Sequence, residues 1–411
     1  MLPPVLEIYV VWHPGDPEGN EVAHVLLDHF RGTAFSGLIG GAVEVYVRSS
    51  SATDDPSGAP RPIPATAPLP YGVPAPALTA VVLVAGTELA SAVETAGPWE
   101  GYVRSLADAR HESPDAVGVF SLRTGPHVFD GTVLGELVGD VLGIANDEFG
   151  TDGFRETLCR DLAQGIAQMG AADGERVEVF VSHTKRLSLV ESQTVNALVD
   201  LIRDVIATTR LDAFFDAHDL QANEDWAPAL IKAASNAALL AVRTDLYSSR
   251  PWCQREVLTA KRHGMPVVVL DALTTGEERG SFVMDHVPRT PGRQENDQWR
   301  RADVTHVLGA LVDECLKRVL WQKQKELAMN AALPVDIDWW APHAPEPSTF
   351  VEWLDNLLDL DAQRQEPIVV LHPDPPLGPD EREVLEQIAR LANLHDKIEF
   401  LTPRGLAARG G

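Results

Sequence analysis

Positive charge and cysteine are scarce in this chain. Its 34 Lys and Arg residues face 60 Asp and Glu, for a formal net charge of -26. That balance argues against a broad nucleic-acid surface, because phosphate binding needs clustered cations that release counterions. Local basic pockets remain open, but no direct nucleic-acid binding is expected. Only three cysteines occur, Cys159, Cys253 and Cys315. They are far apart and form no CxxC pair, so neither a disulfide framework nor a zinc site is expected, and a reducing cytoplasm fits best. The start, Met1-Leu2-Pro3-Pro4, lacks the basic and apolar regions of a signal peptide. No apolar run approaches the length of a membrane span, so a cytoplasmic protein without a membrane partner is expected. No GxxxxGK[ST] run occurs, which removes a P-loop. Gly37-Leu38-Ile39-Gly40-Gly41 neither follows a strand nor opens a helix in the way a Rossmann dinucleotide site requires. The histidines show no metal-ligand spacing.

What is present is ordinary globular material, 45% apolar and 23% charged, with a length that suggests two or three domains. Short apolar runs alternate with helical patterns. Leu6 to Val11, Ala42 to Val47, Ala80 to Val84 and Ala116 to Phe120 predict strands, with helices at Glu21 to Phe30 and Trp99 to Ala109. Between Ser49 and Ala77, Pro, Ala, Ser and Gly dominate and no period survives, which predicts a loop or insertion. A helix over Gly153 to Met169 leads to Gly170-Ala171-Ala172-Asp173-Gly174, a plausible boundary. The pattern then restarts: strands at Val177 to Val181, Leu211 to Phe215, Ala238 to Val242 and Pro266 to Leu270 alternate with helices at Ser192 to Thr208, Trp226 to Ala237 and Cys253 to His263. A long helix over Val304 to Ala328 closes this stretch. Pro367 to Leu371, a helix over Asp380 to Leu394, and Ile398 to Leu401 read as a short βαβ segment that docks on its neighbours or belongs to a longer chain.

Such alternation implies mostly parallel, flavodoxin-like α/β sheets covered on both faces. The expected organisation is an N-terminal α/β domain at 1–148, a linker helix at 149–174, a second α/β domain at 175–330 and the βαβ segment at 331–411. Sites in such sheets lie beyond the carboxyl ends of the strands, so the loops after Val181, Phe215 and Val242 are the places to search. The strands also align with one another: Ile8-Tyr9-Val10-Val11-Trp12-His13 parallels Val179-Phe180-Val181-Ser182-His183, and Ala80 to Thr87 parallels Ala238 to Thr244. Both a true duplication and an unrelated flavodoxin-like first domain stay open.

Three runs in the second domain carry a resemblance. Val179-Phe180-Val181-Ser182-His183 comes first, Phe214-Phe215-Asp216 through Trp226 second, and Tyr247-Ser248-Ser249-Arg250-Pro251-Trp252-Cys253-Gln254-Arg255-Glu256-Val257 third. In that order they resemble the first strand, the second strand with its BB loop, and the WxxxE signature of enzymatic TIR (Toll/interleukin-1 receptor) domains, over roughly 140 residues. Asn223 stands where the family's BB loop carries a Gly; Asn tolerates left-handed backbone better than most residues.

The resemblance implies a TIR fold and cleavage of the nicotinamide N-glycosidic bond of NAD+, which is then substrate rather than cofactor. Nicotinamide is a cationic leaving group that needs no protonation and leaves an oxocarbenium-like ribosyl centre, which one carboxylate can stabilise. Glu256 is the catalytic residue expected from the motif. Ser182, His183, Thr184 and Lys185 after the first strand, Phe215, Asp216 and Trp226 around the BB loop, and Ser248 and Trp252 before the glutamate are the expected substrate contacts; no metal is expected. The resemblance further implies a homo-oligomer formed through TIR contacts, a trigger of unspecified nature, and a place in antiphage defence. Trp99 in Pro98-Trp99-Glu100-Gly101-Tyr102-Val103 resembles Trp252, yet Val103 replaces the glutamate, so a duplicated first domain would be catalytically dead. A non-enzymatic TIR adaptor and a nucleotide-second-messenger sensor are the competing classes.

Overall fold

The apolar runs pair as parallel strands in three sheets of a computed structural model that describes residues 5–32, 35, 43–51, 58–65, 75–145, 149–170, 177–184, 189–215, 226–277, 279–330, 336–360, 367–394 and 397–409. The chain divides into two compact units, residues 1–175 with 322–330, and 176–321 with 331–411.

The first unit runs β1 (Leu6–Val11), α1 (Glu18–Phe30), β2 (Val43–Arg48), β3 (Leu78–Ala85), α2 (Thr87–Val93), α3 (Pro98–Glu112), β4 (Val117–Arg123), α4 (Val133–Val138), β5 (Leu142–Gly143) and α5 (Phe154–Gly170). Its strands lie in the order β2-β1-β3-β4-β5, and every pair is parallel. The central strands β1 and β3 are buried along their whole length. Continuous Val and Leu runs are what a parallel strand needs when helices cover both of its faces. α5 departs from the expected linker. It buries Leu158, Leu162 and Ile166 completely, and Gly165 lies so close to Phe120 of β4 that a Cβ there would stand 2.5 Å from the ring. The helix is therefore part of the first unit, because its apolar stripe has a sheet to cover.

The second unit runs β6 (Glu178–His183), α6 (Leu189–Ala207), β7 (Asp212–Phe215), α7 (Trp226–Asn236), β8 (Ala238–Arg243), α8 (Pro251–Arg262), β9 (Val267–Asp271), β10 (Arg289–Pro291), a small hairpin of β11 (Gln294–Glu295) and β12 (Gln298–Trp299), and α9 (Arg301–Asn330) as far as Trp321, its remainder, 322–330, counting with the first unit. The order is β7-β6-β8-β9-β10, again all parallel. Numbered by chain position, both sheets read 2-1-3-4-5, the doubly wound arrangement of flavodoxin-like folds. The α/β class expected from the alternation is thus present twice.

The last strands, β13 (Trp339–Trp340), β14 (Ile368–Leu371) and β15 (Ile398–Leu401), form a third parallel sheet with α10 (Pro347–Leu360), α11 (Pro379–Leu391) and the short α12 (Pro403–Arg409). The segment thus has one strand and two helices more than the expected βαβ. One face of this sheet packs Phe350, Leu354, Val370, Leu385 and Phe400 together. The other packs Trp321 of α9 against Val369, Leu371 and Leu401. Both faces are covered, and residues 331–411 join the second unit rather than standing apart. A buried ion pair adds to this: Lys261 Nζ of α8 lies 2.9 Å from Glu346, with both side chains at most 6% exposed.

Candidate active site

The strand order of the second unit creates one crevice by topology. From β6 the chain crosses to β7 on one side and later returns to β8 on the other. The connections leave the carboxyl ends of β6 and β8 in opposite directions, and ligands of doubly wound sheets bind at that divergence. Ser182 and His183 end β6, in register with Ala241 and Val242 of β8. The chain after β8 makes a short 3-10 turn at Tyr247–Ser249 and enters α8 at Pro251. Proline fits there because the first helical N–H has no partner to lose and its fixed φ suits a helix.

α8 buries Cys253, Glu256, Val257 and Ala260 on one face, the three- and four-residue spacing of a helical core stripe. Glu256 thus stands where the period asks for an apolar side chain, and it is only 5% exposed. Its Oε2 accepts a hydrogen bond from the Ser182 hydroxyl at 2.5 Å. Ser182, itself fully buried, also meets the Tyr247 hydroxyl at 2.6 Å. Burial, and after it the nearby Cys253 and Glu256, push the Tyr247 phenol well above its ordinary range, against a smaller opposing effect of Ser182. A three-membered buried chain, Tyr247–Ser182–Glu256, therefore sits at the divergence of β6 and β8.

The other expected contacts divide into groups. Thr184, 2% exposed, shares a hydrogen bond of 2.9 Å with Thr244, so these hydroxyls tie together the ends of β6 and β8. His183 is half-buried, with Nδ1 3.2 Å from the Thr184 carbonyl. Trp252 is half-buried, and the Arg255 guanidinium stands 4.7 Å from its ring centroid. Ser248 is bonded to a different carboxylate: its hydroxyl donates to Glu277 at 2.5 Å. Lys185 and Asp216, with Asn223, lie outside the described residues, as do the side chains of Phe215 and Trp226.

Around this centre a second polar cluster pins the loops. Arg243 at the end of β8 bonds Asp271 at the end of β9 at 2.9 Å and pairs with Glu277. Burial works against the Glu277 carboxylate, but Arg243 and then the Ser248 hydroxyl hold it below its usual range. Asp245 accepts from the backbone N–H groups of Thr274, Thr275 and Gly276 and from both threonine hydroxyls. Although burial opposes it, those bonds lower its carboxyl from 3.8 to about 2. Tyr247, Arg243, Thr244 and Glu277 were not among the expected site residues. Tyr247 and Glu256 were legible as members of one motif; the register that sets both against Ser182 was not.

Cys253 is buried in the core cluster of this unit, where a free cysteine packs as a small apolar residue. Burial, followed by Glu314, pushes the Cys315 thiol up to about 12, so it does not supply a thiolate at neutral pH. Among the described residues, no helix is long and apolar enough to cross a membrane. No protein-family model matches this sequence, and no curated protein matches it.

Proposed function

We propose that the second α/β unit is a TIR-type NAD+ glycohydrolase in which Glu256 is the catalytic residue. The observation that carries this reading is the place of Glu256: a buried carboxylate on α8, hydrogen-bonded to the end of β6, where a doubly wound sheet opens its crevice. In the proposed reaction the bond between ribosyl C1′ and the nicotinamide nitrogen breaks, and its electron pair neutralises the pyridinium. The carboxylate stabilises the oxocarbenium-like centre left behind. Water then adds to C1′ and loses a proton, giving ADP-ribose; attack by an internal nucleophile of the same molecule gives a cyclic product instead.

Because uncontrolled loss of NAD+ would be lethal, the proposal includes a nearly silent resting state. Self-association through TIR contacts relieves it in response to a trigger, in antiphage defence. Val103 stands four residues after Trp99 and is fully buried, so the first unit has no carboxylate at that helix position and is assigned regulation or assembly.

The 5% exposure of Glu256 favours one second reading, a non-enzymatic TIR scaffold in which Tyr247, Ser182 and Glu256 form only a buried polar network. Nicotinamide release by the wild type and by Glu256→Ala, followed chromatographically across a range of protein concentrations, separates the two. The glycohydrolase releases nicotinamide at a rate that climbs more than linearly with concentration, and the variant releases none. Equal rates in both proteins would remove Glu256 from the mechanism, and silence of the wild type at every concentration would favour the scaffold.

A further inference from the structure

We infer that Ser182 and Tyr247 are positioning residues for Glu256, acting in series: the phenol fixes the serine hydroxyl, and the serine hydroxyl fixes the carboxylate. The kinetic part of this inference rests on the proposed glycohydrolase; the geometric part does not. An ionised carboxylate only accepts hydrogen bonds. In the 2.5 Å contact with Glu256 the proton therefore belongs to Ser182. That is the only proton the serine hydroxyl has, so in its 2.6 Å contact with Tyr247 it accepts, and the phenol donates. The polarity of the chain runs one way, from Tyr247 through Ser182 to Glu256.

Two consequences follow for the chemistry. Ser182 has no proton left to donate to a ribose or phosphate oxygen, which changes its role from substrate contact to support of the carboxylate. Tyr247 cannot reach the reaction except through Ser182, because it is fully buried and lies in the core cluster with Phe180, Leu239 and Val257. Its own backbone is held in turn: its N–H donates to the Thr244 carbonyl at 2.9 Å, and its carbonyl accepts from the Arg250 N–H at 3.1 Å. The next residue is tied down by the bond from Ser248 to Glu277. Hydrogen bonds to a charged acceptor are the strong ones, and a chain of them strengthens each member. A rigid donor at the far end is therefore able to aim a carboxylate that must meet C1′ within a fraction of an ångström.

The test uses Ser182→Ala, Tyr247→Phe and the double variant in the full chain, with NAD+ as substrate. Tyr247→Phe keeps the ring and removes one oxygen, so it carries the test if Ser182→Ala does not fold. Each single variant is expected to lower kcat by about tenfold to a hundredfold, the usual penalty of a misplaced group, while KM stays within about threefold. The double variant is expected to fall no further than Ser182→Ala alone, since Tyr247 acts only through Ser182. A rise in KM at unchanged kcat would make Ser182 a substrate contact, and independent multiplying losses would break the series; either overturns the inference. A second readout needs no turnover. The infrared carboxylate bands of Glu256, assigned by their loss in Glu256→Gln, shift in Ser182→Ala and less so in Tyr247→Phe. Unmoved bands in Ser182→Ala overturn the coupling even in an active enzyme. Shifted bands in a wild type that leaves NAD+ intact uphold the coupling and overturn only the glycohydrolase.

Discussion

Glu256 sits between Cys253, Val257 and Ala260 on a buried helix stripe, and a carboxylate in that company must be bonded or it destabilises the fold. The stripe itself was legible in the residue spacing, and a Glu inside it is a signal that could have strengthened the motif. The serine that satisfies it lies 74 positions earlier in the chain, and only the pairing of β6 with β8 brings the two together. Ser248 illustrates the opposite case: it belongs to the same motif, yet its hydroxyl serves Glu277 because the loop after β9 returns to it. At this scale Asp245 supplies a pH prediction. Its folded carboxyl titrates at about 2 against an ordinary 3.8, so the unfolded chain binds its proton first as pH falls. The stabilisation it provides is complete above that ordinary value and disappears on acidification towards pH 2. Urea melts of Asp245→Asn are expected to show lower stability at neutral pH and a flatter acid limb over this window. A variant that tracks the wild type across it would show that the loop from Thr274 to Gly276 does not depend on Asp245.

Helix α8 carries the site at one end and an anchor at the other. Lys261 Nζ donates to the Asp285 carbonyl at 2.7 Å and to Glu346 at 2.9 Å, joining α8 to the segment that leads into α10. Removing the lysine alone strands a buried carboxylate. Lys261→Met is therefore expected to cost about 3–5 kcal/mol in a denaturant melt. Removing both charges in Lys261→Met with Glu346→Leu is expected to recover most of that loss, because two apolar side chains need no pairing. Equal destabilisation by the single and double variants would mean that shape at this joint, and not charge, holds the elements together. Long apolar strands were the easiest elements to read in the sequence, since β3 and β9 are nearly unbroken runs of Val, Leu and Ala. Strands of two or three residues, such as β5, β10 and β13, hold no period to read and exist only because a neighbouring strand pairs with them. α10 is different: Phe350, Leu354 and Leu357 keep helical spacing, so this helix is legible in the sequence, although it is not among the expected elements.

The two units share a strand order and differ in what fills the corresponding helix. α3 and α8 each begin with Pro at the first position and Trp at the second, Trp99 and Trp252. Four residues on, one has Val103, fully buried, and the other has Glu256. In the first unit that position belongs to an apolar core with Tyr9, Val11 and Leu83. Placing a charge there creates no site: Val103→Glu is expected to cost about 3–5 kcal/mol, the penalty of an unpaired buried charge, and to add no NAD+ cleavage to a Glu256→Gln background. Retained stability would mean that the first unit holds a partner for a carboxylate at that helix position. The α/β class and the alternation that produces it were legible from end to end. The grouping of residues 331–411 with the second unit was not, because it depends on Trp321 and Lys261, whose partners are set by packing and not by local pattern.

The most direct measurement is a proton NMR time course of NAD+ mixed with the wild type and with Glu256→Gln, each at the high protein concentration that favours self-association, after circular dichroism has shown both to be equally folded. Gln keeps the size of the side chain and an oxygen for the Ser182 hydroxyl while removing the charge. The proposed mechanism predicts free nicotinamide signals growing in the wild-type sample and at least about a hundredfold slower in the variant, the loss expected when the group that stabilises a developing charge is neutralised. Nicotinamide appearing at the same rate in both samples would contradict it.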